Sequence, residues 1–229
     1  MEEIILDGSP PIAVVLRRSA RAGRISLRVS RLDGRVSLTI PTRGSKSEAI
    51  SFLREKEVWL RHQLVIQAPR VDLRVGAEVL FEGTPLVISQ GKSRAAQIIG
   101  TQLLVPGPEA GYAAKIAAFL KARARPRLHA ATEVYAARLG KPVKRITLRD
   151  TRSRWGSCSS AGNLNYSWRL IMAPPDVLDY VAAHEVAHLQ EMNHSQAFWD
   201  VVERLYGPCA DQRKWLRTNG NLLHQYVFD

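Results

Sequence analysis

The chain has 229 residues, 45% of them hydrophobic and 24% charged, enough to bury one large core or two small ones. No apolar run approaches the ~20 residues of a membrane span, and the opening "MEEIILDGSP" is acidic where a targeting segment is basic, so neither export nor bilayer insertion is expected. Two cysteines, Cys158 and Cys209, are too few for a disulfide framework and fit a reducing, cytoplasmic setting.

Taken in chain order, "IAVVLRR", "RISLRVS" and "RVSLTIP" are short β-rich runs, the last two flanking the hairpin signal "RLDG". In the middle run Ile25, Leu27 and Val29 alternate with Arg24, Ser26 and Arg28, giving one apolar and one basic sheet face. Ser45 to Glu48, "SKSE", is a capping box for a helix expected to reach about Gln67 and to be closed by Pro69. A second β-rich stretch covers 75–105, with turns expected at Glu82 and Gly83 and near Gln90 and Gly91, and "PGPEAG" is the best linker candidate. An Ala-, Lys- and Arg-rich helix follows, kinked or broken at Pro126 and ended by Gly140. No internal repeat stands out. "KRITLRD" reads as a strand and "SRWGSCSSAGNLNYSWRLI" as a hairpin turning around 159–162, with Leu164, Tyr166, Trp168 and Leu170 on one face and Asn163, Asn165, Ser167 and Arg169 on the other. "APPDVLDYVAAHEVAHLQEM" reads as a helix with prolines at its entrance. The expected fold is α+β: a β-rich N-terminal part with one helix (1–107), then a catalytic part (108–229) whose antiparallel hairpin packs on the histidine-bearing helix.

The net charge of +12 is unevenly spread, with +6 on residues 1–70, +9 on 121–154 and −3 on 155–229. Such a field attracts anions, whether nucleic acid, nucleotides or acidic protein surfaces, and equally fits a solvated helix face.

Three of the six histidines, His184, His188 and His194, fall within eleven positions, with Glu185 among them. Residues four apart on a helix differ by about 40° in azimuth and ~6 Å in height, so His184 and His188 can share one metal ion. Glu185 then stands beside the ion rather than on it, placed to take a proton from water. On the helical wheel these residues share the apolar arc with Val177, Val181, Leu178 and Met192. An inward carboxylate there needs a compensating charge, which a dication provides. A shuffled chain of this composition contains H-E-x-x-H roughly once per hundred sequences. Two ligands are too few for zinc. His194 is the choice for the third, with Asn193 turning the chain back in a left-handed conformation and Ser195 capping the next helix, "QAFWDVVERLY". Glu191 and Glu203 are rivals, and Glu191 is alternatively a partner of a ligand. Zn2+ suits imidazole ligands and an open fourth position. Oxyanion donors are not assigned by sequence; Tyr166 and Asn165 are candidates. His62, His129 and His224 lack metal-ligand neighbours and read as structural or exposed.

"TRSRWGSCSSAGNLNYSWRLIMAPPDVLDYVAAHEVAHLQEMNHSQAFW", with "RKWL" and, more weakly, "LRVSRLDGRVSLTIP" and "KEVWLRHQL", resembles the YgjP-like family of zinc metallopeptidases, related in motif to SprT-type proteases. The resemblance implies a zincin-like catalytic half, zinc on His184, His188 and His194, and Glu185 as acid/base. Metzincins share the third-histidine spacing but carry Gly where this chain has Glu191, so their Met-turn is not expected. A nucleoside-triphosphate pyrophosphatase activity attributed to one member of the group keeps a second chemistry open.

The principal expectation is therefore a zinc metallopeptidase in which the strand over 163–169 pairs with an extended substrate. The second is a UTP-type pyrophosphatase with Arg149, Arg152 and Arg154 clamping phosphate. The third is a nucleic-acid-associated protein using Arg24, Arg28 and Arg35 or the 121–154 run.

Overall fold

Alternation in the first forty residues builds a sheet of four strands: β1 (Glu2–Leu6), β2 (Ile12–Ser19), β3 (Ser26–Val29) and β4 (Val36–Pro41). The computed structural model describes residues 2–30, 34–65 and 70–228. Strand order is β1-β2-β4-β3, with β2 and β4 parallel and the other pairs antiparallel. Val14, Leu16, Val36, Leu38 and Ile40 bury one face against Ala49, Leu53 and Leu60 of two helices, α1 (Lys46–Glu55) and α2 (Glu57–Val65). Ser45 caps α1 as its spacing predicts, accepting from the Glu48 N–H at 3.4 Å. The single expected helix is thus two, separated at Lys56. The β3–β4 pairing is that of a hairpin, while positions 31–33 of "RLDG" and the expected helix end at Gln67 and Pro69 lie outside the described residues.

The chain forms two compact units, Met1–Pro69 and Arg70–Asp229. The second begins with β5 (Glu78–Phe81), β6 (Thr84–Gly91), β7 (Gln97–Ile99) and β8 (Gln102–Pro106). Their order, β5-β6-β8-β7 with β6 and β8 parallel, is the order of the first sheet. This repeated topology, each sheet followed by a helix, is a repeat of architecture that the residues themselves do not display. Glu82 (φ 48°) and Gly83 (φ 79°) form the expected two-residue turn. Gly91 is the last residue of β6, just before the chain turns toward β7; a Cβ there would sit 3.1 Å from the Leu104 carbonyl carbon, so the glycine also serves close strand approach.

Helix α3 (Tyr112–Leu139) runs through Pro126 unbroken, carried by burial of Ile116, Leu120, Leu128 and Tyr135 on both sides of it, and ends at left-handed Gly140. Strands β9 (Arg145–Arg149), β10 (Gly156–Cys158) and β11 (Asn163–Ser167) form a sheet in the order β10-β11-β9. The hairpin is where the sequence places it, but its second arm is not free. β11 is paired with β10 on one side and with parallel β9 on the other, so the edges of the sheet are β9 and β10, and the one beside α4 is β10. Three helices complete the unit: α4 (Pro175–Ala187), α5 (Gln196–Tyr206) and α6 (Ala210–Asn219). β10 packs on α4, and a bidentate ion pair from Arg127 to Asp179, 2.8 Å at each contact, joins α3 to α4. No helix among the described residues is long and apolar enough to cross a membrane.

The alternation predicted for the hairpin stops at Ser167, where the chain enters a 3-10 turn (Trp168–Met172) and Arg169 becomes buried. Its guanidinium donates to Asp150 at 2.7 and 3.1 Å and to the Leu223 carbonyl at 2.9 Å, lying 5.0 Å from the ring centroids of both Trp168 and Phe228. Desolvation alone raises the Asp150 pKa, but the Arg169 hydrogen bonds and charge outweigh it and hold the carboxyl below its usual range. A depressed carboxyl pKa contributes stability above about pH 4 that is lost as pH falls through the folded value. Asp150→Asn is accordingly expected to cost about 1 kcal/mol at pH 7, the exposure of the Asp150 carboxylate to solvent keeping the loss small, and less as pH falls through its lowered folded value. Denaturant unfolding of both proteins across that pH range checks this.

Candidate metal centre

Helix α4 brings His184 and His188 to one side, as four-residue spacing requires, but it stops at Ala187, with His188 as its C-cap. The expected continuation to Met192 fails: Met192 is outside the helix and 49% exposed. Asn193 is not left-handed either; among described non-glycine residues a positive φ occurs only at Glu82. The earlier exit has a local cause. The Glu191 carbonyl folds back to His188 Nδ1 at 2.9 Å, so Glu191 partners a histidine through its backbone rather than its carboxylate. The returning loop delivers His194, whose Nε2 lies 3.1 Å from His184 Nε2. Ser195 is the N-cap of α5 by conformation, without a side-chain cap bond. Glu203 is exposed on α5.

The residues fit a small tetrahedral cation. One ring nitrogen from each of His184, His188 and His194 lies within 4.8 Å of the others, and among the described residues no other such group exists. Two nitrogens bound at ~2.0–2.1 Å in a tetrahedron stand ~3.3 Å apart, close to the His184–His194 separation. In the tautomer that leaves Nε2 free to ligate, the Nδ1–H groups donate outward, His188 to Glu191 and His184 to the Tyr180 hydroxyl at 3.4 Å. Burial, then the charges of His188, His194 and Arg213, pull the His184 imidazole down to about 3, which keeps it in the neutral form that binds metals.

Glu185 is 5% exposed and faces the same space. Burial pushes its carboxyl up to about 8, opposed by the positive charge of Arg154. The strand beside it begins with Gly156, where an added Cβ would sit 2.5 Å from both Cγ and Oε1 of Glu185. That glycine lets β10 lie directly on the carboxylate. A cavity of about 440 Å³ opens over Arg154, Gly156, Tyr180, Glu185 and the three histidines.

Other expected site residues separate. Tyr166 is 1% exposed with its hydroxyl 3.1 Å from Thr132 Oγ1, and Asn165 donates to Ser157 Oγ at 3.3 Å across the hairpin; neither lines the cavity. Of the three arginines proposed as a clamp, Arg154 lines the cavity, while Arg149 and Arg152 are exposed and do not. Arg24, Arg28 and Arg35 belong to the first unit. Three contributors were missed in the sequence. Tyr180, four residues before His184, was detectable by helical spacing. Phe198 stacks on His188 with ring centroids 4.4 Å apart, and Gly156 meets Glu185; both relations join separate elements and carry no local signal.

Three convergent imidazoles beside a buried carboxylate, under a strand edge, constitute the arrangement of a metal-dependent hydrolase. Residues 23–219 match the family model of the YgjP-like metallopeptidase domain, and the chain belongs to that family. No curated protein matches it. The crystal structure of the metallopeptidase zymogen of Pyrococcus abyssi abylysin is similar over 44% of this chain and 99% of its own, with 20% identity and a TM-score of 0.37.

Proposed function

We propose that this protein is a zinc-dependent peptidase in which His184, His188 and His194 hold the ion and Glu185 is the general base. The observation that carries the reading is Glu185 itself, a carboxylate 5% exposed that lines the same cavity as three clustered imidazoles. When bound there, zinc would supply a Lewis acid able to polarise a carbonyl and make water more acidic. Glu185 takes the proton from the attacking water and returns it to the leaving amine. Tyr180 and the Glu191 carbonyl fix the rings of His184 and His188.

The extended substrate belongs on β10 rather than on 163–169. In the β10–β11 ladder Ser167 N–H donates to the Trp155 carbonyl at 2.8 Å and Ser159 N–H to the Asn163 carbonyl at 3.0 Å. Hydrogen-bonded and non-bonded pairs alternate along antiparallel strands, so the Gly156 and Cys158 backbone groups turn to the open side. A peptide joining that edge passes Glu185 with its main chain held in register. Cys158 and Cys209 are unpaired, which fits a reducing compartment such as the cytoplasm.

Protein purified without chelator is expected to hold one zinc per chain and to cleave unstructured proteins. Chelation should abolish cleavage and added zinc restore it, with affinity falling on acidification as the imidazoles protonate. Absence of a stoichiometric transition metal, or no cleavage across a broad peptide library by zinc-loaded protein, overturns the reading.

A further inference from the structure

The basic residues of 121–154 look interchangeable in sequence, yet the structure commits most of those it places near the core. Arg127 is ion-paired with Asp179, Arg138 donates to the Leu205 carbonyl at 2.9 Å, and Lys121 and Arg123 lie over the rings of Trp168 and Phe119. Arg154 is exposed, and what sets it apart is its place. Its backbone carbonyl accepts from Thr151 Oγ1 at 2.8 Å, and its guanidinium has no hydrogen-bond or ion-pair partner among the described residues. It lines the cavity that holds Glu185 and the histidines, two residues ahead of Gly156 on the approach to the open edge. Among the described residues Glu185 is the only carboxylate on the cavity wall, and the charge of Arg154 acts on it without an ion pair between them. On the other flank Arg213 is held over the Trp199 ring, 4.2 Å away, adding positive charge near His184.

An unpaired guanidinium at the rim of a site is matched by a carboxylate, which it binds with two charge-assisted hydrogen bonds. Two residues of extended chain span ~6.6 Å. A substrate strand seated on β10 therefore presents to Arg154 the side chain about two residues away from the one that passes Glu185. A lysine at that place meets like charge.

We propose that Arg154 is a specificity residue selecting an acidic side chain at one position of the substrate peptide, about two residues from the bond cleaved. This rests on the peptidase reading and narrows its substrates to acidic, extended peptides. The preference is positional. General attraction of acidic peptides to a basic protein would spread over all positions and fade with salt.

The test is a peptide set in which Glu, Gln or Lys is placed in turn at six positions around one cleavage site, with kcat/KM read for wild type, Arg154→Gln and Arg154→Glu. In the wild type the Glu-to-Gln ratio should be roughly tenfold at one position and near one elsewhere. It should collapse to about one in Arg154→Gln, and Arg154→Glu should favour Lys there. Absence of a single preferred position, or a preference that survives in Arg154→Gln, overturns the proposal. If zinc-loaded wild type cleaves no peptide, the peptidase reading fails and the proposal falls with it. Where cleavage occurs, anisotropy titration of the same peptides, labelled, onto zinc-loaded Glu185→Gln, with and without Arg154→Gln, reads the preference apart from turnover: an Arg154-dependent preference for Glu at one position supports the proposal, and equal binding overturns it.

Discussion

Glu185→Gln should lower kcat/KM for peptide hydrolysis by roughly 10²–10⁴-fold while the protein still binds one metal ion, as read by steady-state kinetics and metal analysis on the same preparation. The amide preserves the volume that β10 packs against and cannot accept the proton of water. None of the three imidazole ligands is altered, so a loss of metal would point to Glu185 as a ligand instead. A second signature needs no substrate. In metal-free protein burial raises the Glu185 pKa to about 8, so the unfolded chain ionises first and the folded state loses stability as pH rises through that value. The opposite shift of His184 acts below pH 6.5, as the folded imidazole resists protonation. Between pH 6.5 and 8 the metal-free wild type should therefore lose stability, and Glu185→Gln should not. Equal slopes in that window would show that the carboxyl is not desolvated.

Gly156→Ala should be the next most damaging change, with activity falling roughly 10²-fold because either the carboxylate or the strand edge must move. A Cβ at 2.5 Å from Glu185 Cγ and Oε1 is far inside contact distance. The overpacking should also cost about 1–3 kcal/mol of stability. A double-mutant cycle separates the two partners: in a Glu185→Ala background the atoms in conflict are gone, and the stability cost of Gly156→Ala should nearly vanish. Persistence of the full cost there would place the strain in the strand itself.

The parts of this protein legible in its residues are those whose signals are local. The His184–Glu185–His188 spacing, the Ser45 cap, the Glu82 turn and the Gly140 helix end each need a handful of adjacent positions, and each is where the sequence places it. Most of what escaped depends on partners far along the chain. Arg169 reads as an outward strand residue until Asp150 and the Leu223 carbonyl, 19 and 54 residues away, are brought to it. The strand over 163–169 looks like an edge because its second neighbour, β9, pairs in parallel from upstream. The premature end of α4 has no breaker residue; its cause, the His188–Glu191 contact, is local but runs from a ring to a backbone carbonyl, which residue types do not announce. The shared order of the two four-stranded sheets is likewise a property of backbone paths, which different side chains can follow.

The open edge above Glu185 is three residues long. So short a ledge grips only a few backbone groups of a visitor, which makes each encounter brief unless side chains add their own hold. It also keeps the molecule from zipping onto copies of itself. Compact proteins, whose chains are already engaged in their own ladders, have no strand to lend it. Segments that have come loose do, so on the proposed peptidase reading this edge would take up unravelled or tail-like polypeptide more readily than intact neighbours.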